Sequence, residues 1–224
     1  MRAGTWGRGA WETDLYTTAN LTTKTWSGLS STDWSNAGNW QTLEVPATTD
    51  TVLIPGGCPH YPYIQSSITT CGRLVIDSAA SLSIGANKLV VNGRVLIDGE
   101  LIMDNNSSQM EVSDDIIWEA NSSIGYMAGS AMITVDDDWY FETGSNIALN
   151  NGFVKFAGNS SNSSIITYGA NCSFNHLVVA KDPGRVLYYP STATGDLTIT
   201  GNLSIWPGAK FIFESPAYLY LEGI

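Results

Sequence analysis

The sequence predicts an all-β, single-domain parallel β-solenoid with about 21–23 residues per coil, closed at its N-terminal end by a Trp-rich cap. Three observations carry this. From Leu74 onward the chain is a series of three- to four-residue apolar bursts, such as Leu74-Val75-Ile76, Leu89-Val90-Val91 and Val95-Leu96-Ile97, broken by Gly, Asn, Asp and Ser. Short β-branched and aromatic runs between turn residues read as strands joined by tight corners. No window holds an apolar stripe at helical spacing for three turns, so no long helix is expected. The bursts also recur at long range. Val112–Glu119 aligns with Val135–Glu142 at an offset of 23, and Leu89–Ile97 aligns with Met110–Trp118 at an offset of 21. Leu197–Ile205 matches Leu89–Ile97 at an offset of 108, close to five coils. Such a period, built from strands, is that of stacked coils. Propeller blades need about 40 residues.

The elements follow in order. Residues 74–224 make the coils, roughly seven of them, and at a spacing of about 4.8 Å they stack into a rod about 35 Å long. Equivalent residues then lie above one another, with aliphatic ladders inside and polar ladders outside. Residues 1–73 hold five of the eight Trp: Trp6, Trp11, Trp26, Trp34 and Trp40. A solenoid end exposes apolar core and unpaired strand edges, and an irregular Trp-rich segment continuous with the first coil suits the task of covering them.

Composition narrows the function. Ten Lys and Arg against 21 Asp and Glu give a formal net charge of −11, which repels nucleic-acid phosphates and anionic lipid. No apolar run is long enough to span a membrane. Charged residues make up only 14%, with Ser, Thr, Asn and Gly in their place, a balance suited to a turn-dense extracellular protein. The first eleven residues lack the apolar core of a signal peptide, so the expectation is a chain from which an export leader has been removed. Three cysteines are an odd count. Cys58 and Cys71 flank a turn-rich stretch and are the pair expected to form a disulfide, which leaves Cys172 as a small buried apolar residue. Two His, neither near a Cys pair, argue against zinc.

The entry segment carries a familiar pattern: Trp26-Ser-Gly28, Asp33-Trp34, Asn39-Trp40, Pro46, Asp50-Thr-Val-Leu-Ile-Pro55, Cys58-Pro59, Tyr61-Pro-Tyr-Ile64 and Cys71-Gly-Arg-Leu-Val-Ile76. It resembles the start of large secreted or cell-surface parallel β-helix proteins of Bacteroidota, and residues 173–203 resemble their later coils. The resemblance spans roughly residues 26–221. It implies a right-handed solenoid, an extracellular or cell-surface location, and a chain cut or processed from something longer. It also implies O-glycosylation at Asp50-Thr51-Val52 and Asp77-Ser78-Ala79.

Four groups of residues are candidates for chemistry. The 23-residue offset stacks Asp114 on Asp137, Asp115 on Asp138 and Glu119 on Glu142, with Asp136 beside them. Like charges one coil apart repel, and a hard cation such as calcium, held by Asp114, Asp115, Asp136, Asp137 and Asp138, would relieve them; exposure to water at a corner would do the same. Trp34, Trp40, Tyr61 and Tyr63 are the aromatics placed to stack on a glycan. Asn105, Asn106, Asn121, Asn150 and Asn151 are placed for amide ladders at corners. A catalytic set is not expected, because no base, acid and cation partner cluster; the stacked acids are the pair that a polysaccharide-processing β-helix would use. The function expected is a non-catalytic structural or adhesive segment of a bacterial surface protein. Its partners would be other copies of itself, joined end to end in a filament, or downstream domains of a longer chain. A carbohydrate-binding module is the alternative.

Overall fold

The computed structural model describes residues 22–143, 145, 148–158 and 161–222. They form an all-β parallel solenoid of about seven turns. The chain visits three sides in turn. One side is a nine-stranded sheet that begins at Thr23–Thr25 and Thr51–Ile54, runs through Arg73–Ile76, Val95–Ile97, Ile116–Trp118 and Trp139–Phe141, and ends at Lys210–Phe213. A second long sheet runs from Ile68–Cys71 to Leu219–Leu221. The third sheet is short, with Ser81–Ser83, Glu100–Met103 and Ser123–Met127. Every strand pair in these sheets is parallel, as a coil that always turns the same way requires.

Alternation within each strand decides what is buried. In Val95–Ile97 the two ends point inward and are buried while Leu96 points out. Stacking then produces the inward ladder Ile54, Ile76, Ile97, Trp118 and Phe141. A second inward ladder, on the second sheet, is Leu89, Met110, Ile133, Val154, Leu177 and Leu203. The 21- and 23-residue offsets are the observed registers, Leu89 on Met110 and Val112 on Val135. The 108-residue match is not. Five coils beyond Leu89 lies Leu203, whereas Leu197 pairs with Cys172 and Leu219. The reason is that Leu-x-Ile, a corner, then Leu-x-Ile reads alike whichever two sides of the coil it covers. Coils also lengthen along the rod, from 21 residues between Leu74 and Val95 to 26 between Trp139 and Ile165. The extra residues sit in corners, where pairing does not limit them, and in slips of register within Ser123–Met127 and Ala148–Gly158.

The two ends differ. Near the N-terminal end, Trp26, Trp34 and Trp40 form a buried cluster with ring centroids 5.0 Å apart in two edge-to-face contacts. Two of their indoles are also hydrogen-bonded: Trp26 Nε1 donates to His60 O at 2.7 Å, and Trp40 Nε1 to Trp34 O at 2.8 Å. Gly28, at φ +60, fits beneath because a Cβ there would lie 2.0 Å from His60 O. Buried Asn39 binds the loop around them, accepting from Ser30 and Ser31 N–H and donating to Asp33 O. The first inward position of the leading sheet is Lys24, paired in register with Val52 and ion-paired to Glu44. Trp6 and Trp11, also expected in the cap, lie outside the described residues. At the other end the inward positions Leu203, Ile205, Phe211, Phe213, Leu219 and Leu221 have lost their cover. Ile205 and Leu221 are 47% and 54% exposed, where their counterparts one coil earlier, Val179 and Ile199, are fully buried.

Ile97→Ala is therefore expected to cost about 2–5 kcal/mol, because the ladder on both sides keeps the cavity open. Leu96→Ala, one residue away but half-buried, should cost less than about 1.5 kcal/mol. Urea denaturation of the two variants measures the difference.

Candidate functional site

The acidic stack resolves into separate environments. Among the described residues, Asp114, Asp115 and Asp137 each bring a carboxylate oxygen within 4.8 Å of one another. Asp115 is buried, and the guanidinium of Arg94 one coil below donates to its Oδ2 at 2.7 Å while Asp138 N–H donates to Oδ1 at 3.2 Å. Burial and the neighbouring Asp114 charge still push its carboxyl up from the ordinary range. Asp138 faces elsewhere, accepting from Ser164 N–H and the Tyr140 hydroxyl; burial raises its carboxyl as well. Asp136 faces Lys181, whose ammonium is buried, donates to Asp136 O at 2.6 Å and Ala157 O at 3.0 Å, and lies 3.5 Å from the Asp136 carboxylate. Burial lowers the Lys181 pKa. Of five residues expected around one cation, three converge. They offer a hard cation three oxygens, half or less of the six to eight that calcium takes, so water would complete the shell and Arg94 would compete for one oxygen.

Two of the five asparagines expected in ladders, Asn106 and Asn121, bond to other groups. Asn106 accepts from Ser130 N–H and Asn121 donates to Asp98. These are side-chain hydrogen bonds to a backbone N–H of the next coil and to a carboxylate of the preceding one.

The outer face of the leading sheet carries a feature that sequence reasoning missed. Val75, Leu96 and Ile117 stack as an aliphatic floor in a groove of about 360 Å³, with Arg73 and Arg94 at one rim and Glu119 and Glu142 at the other. Glu119 has its carboxyl raised by burial, then by the charges of Glu142 and Asp98. The register that stacks the buried residues fixes these rims too; the signal lay in Arg73 and Arg94, which are 21 residues apart.

The glycan candidates divide. Trp34 and Trp40 are 3% and 1% exposed and pack edge to face on each other, so neither has a ring face for a sugar. Tyr63 bridges Asp33 and Ser83 as an outlying strand of the short sheet, and Tyr61 stands half-buried at the edge of a second cleft. The expected Cys58–Cys71 disulfide is absent. Cys71 points into the coil interior from its strand, whereas the Cys58 thiol lies against Trp26 O and Pro55 O. Residues 25–181 match the family model of a domain of unknown function, DUF8693. The chain belongs to that family. The DUF8693 match takes in the Trp cluster, the acidic corner, the groove and the cleft, and stops at Lys181, before the last described coil. No curated protein matches the chain, and no solved structure does. Among the described residues no helix is long and apolar enough to cross a membrane.

Two outcomes are expected. Burial pushes the Cys71 and Cys172 thiols up to about 12, so under native conditions near pH 8 a thiol reagent should modify Cys58 first. Three thiols should titrate after denaturation; a count of one would restore the disulfide. The raised carboxyls of Asp115, Asp138 and Glu119 bind protons more tightly in the folded state. Their contribution to stability is therefore greatest below the ordinary carboxylate range and falls as pH rises through the raised values. Asp115→Asn should raise the melting temperature at pH 7 and leave it nearly unchanged at low pH, as calorimetry across that range would register.

Proposed function

We propose that the chain is a non-catalytic, extracellular structural and adhesive segment of a bacterial surface protein, a rigid rod joined end to end through its last described coil. The contrast between the two ends carries this reading. At the N-terminal end, Lys24, Glu44 and the Trp cluster close the core; at the other, Leu203, Ile205, Phe211, Phe213, Leu219 and Leu221 present an apolar face with open strand edges. Such a face favours a contact with another solenoid end. A contact between unlike ends does not close and makes a filament. Low charge, a Ser/Thr/Asn-rich surface and the resemblance of the entry segment to Bacteroidota surface proteins support the location.

A second reading rests on Glu119 and Glu142. They line the same groove on successive coils, and a glycosidic bond is processed by two carboxylates that flank one site. Release of reducing ends from neutral or acidic polysaccharides, lost in Glu119→Gln, would support it. Inertness of the wild-type protein would remove it.

Electron microscopy of the purified protein, with mass measured alongside, tests the first reading. Filaments with an axial repeat near one subunit length are expected, and Ile205→Asp with Leu221→Asp should reduce them to single rods. Single rods from the wild-type chain at every concentration would overturn self-assembly.

A further inference from the structure

The geometry points to the cleft at the corner between the cap and the short sheet as a binding site for one neutral pyranose unit of a saccharide, seated on Tyr61 and hydrogen-bonded by Ser81, Glu100, Asn121 and Ser123. Register builds the site. Ser81, Glu100 and Ser123 are direct partners on successive coils, and the bridge between Tyr63 and Ser83 places Tyr61 in line with Ser81. Four outward side chains thus stand in single file along the rod, edging a cleft of about 260 Å³. That is a little below the range of roughly 300–1,000 Å³ for drug-sized ligands, and it suits one ring.

The wall is fixed before any ligand arrives. The Tyr61 hydroxyl accepts from Gly57 N–H at 2.9 Å and donates to Ala79 O at 2.6 Å, so the hydroxyl end of its ring is fixed. Asn121 donates through Nδ2 to Asp98 Oδ1 at 3.1 Å, which leaves its Oδ1 as an acceptor. Two glycines shape the cleft. A Cβ on Gly99 would lie 2.4 Å from the carbonyls of Ala80 and Asp77, and one on Gly125 would lie 2.3 Å from Glu100 Oε1. Gly125 falls where the pairing of the last strand slips by one residue, a bulge of the kind that re-aims side chains beside sites.

The donor set selects the ligand class. Neither Lys, Arg nor His lines the cleft, so nothing there neutralises an anion. One carboxylate is too few for a hard cation. An aromatic platform, two hydroxyls that both give and take protons, one carboxylate and one amide oxygen match a ring with an apolar C–H face and a rim of hydroxyls.

Saturation-transfer and chemical-shift NMR with glucose, galactose and mannose, each also as a short oligosaccharide, tests this on the whole chain. At least one should bind in the millimolar range, with shifts centred on Tyr61, Glu100 and Ser123. Glu100→Ala, which removes an outward side chain from an intact strand, should weaken binding about tenfold or more. Tyr61→Ala should abolish it, with circular dichroism confirming that the fold is kept. Trp206→Ala, on the far coil, should bind as wild type. Absence of binding to all of these sugars at tens of millimolar, or Glu100→Ala binding as wild type, would overturn the site. The rod and its end contact would stand either way, because none of the residues lining the cleft lies on the final coil.

Discussion

The structure depends on one constraint: a single coil cannot cover its own inward side chains, and each must be covered by the equivalent residue about 4.8 Å along the axis. Ile97 is buried because Ile76 lies below it and Trp118 above. The same requirement forces all strands to be parallel and admits extra residues at corners and at bulges such as that at Gly125. It also lets the core change character along the rod. Aliphatic rungs give way to Trp118, Trp139, Phe141 and Phe174, with Trp118 and Trp139 5.7 Å apart. Both indole Nε1 atoms there are buried without a partner, at a cost of about 1–3 kcal/mol each, and the large apolar area of the rings offsets it.

Where the stack stops, the constraint becomes a problem of ends, and polar groups solve it at one of them. Lys24 occupies an inward position because its ammonium reaches Glu44 while its stem covers the first rung, an arrangement that an aliphatic side chain could not supply. Lys181 does similar work in mid-rod, where a buried ammonium holds the carbonyls of Asp136 and Ala157 from two neighbouring coils. Gly158 makes room for that arrangement, since any Cβ there would collide with the Asp136 carboxylate. The final coil has no such device among its described residues, and its rungs remain aliphatic and aromatic to the last strand.

Much of this was legible in the residues. Offsets of 21 and 23 predicted which side chains stack, and that prediction extended outward to Asp114, Asp115 and Asp137. The Trp-rich segment signalled a cap, and Trp26, Trp34 and Trp40 cluster as a cap would. What was illegible has a common cause. A period says which residues share a ladder without saying which way a corner side chain turns. Asp136 and Asp138 are neighbours of Asp137 in sequence, yet one meets Lys181, 45 residues on, and the other Ser164 and Tyr140. Cys58 and Cys71 are close along the chain, but one faces the coil interior and the other the cap loop. Trp34 and Trp40 read first as cap packing and second as sugar platforms, and their contacts decide for packing.

The sequence by itself determined the class of fold, the coil length and the inward ladders, because alternation and repetition are one-dimensional properties that stacking converts directly into burial. Tertiary structure decided the rest. It selected which side of the coil Leu197 belongs to, gathered Arg73, Arg94, Glu119 and Glu142 around one groove, and aligned Tyr61 with Ser81, Glu100 and Ser123. Each of these depends on where corners fall and how side chains leave them. Corners are set by local hydrogen bonds and close backbone approach, as at Gly99, which no period in the sequence records.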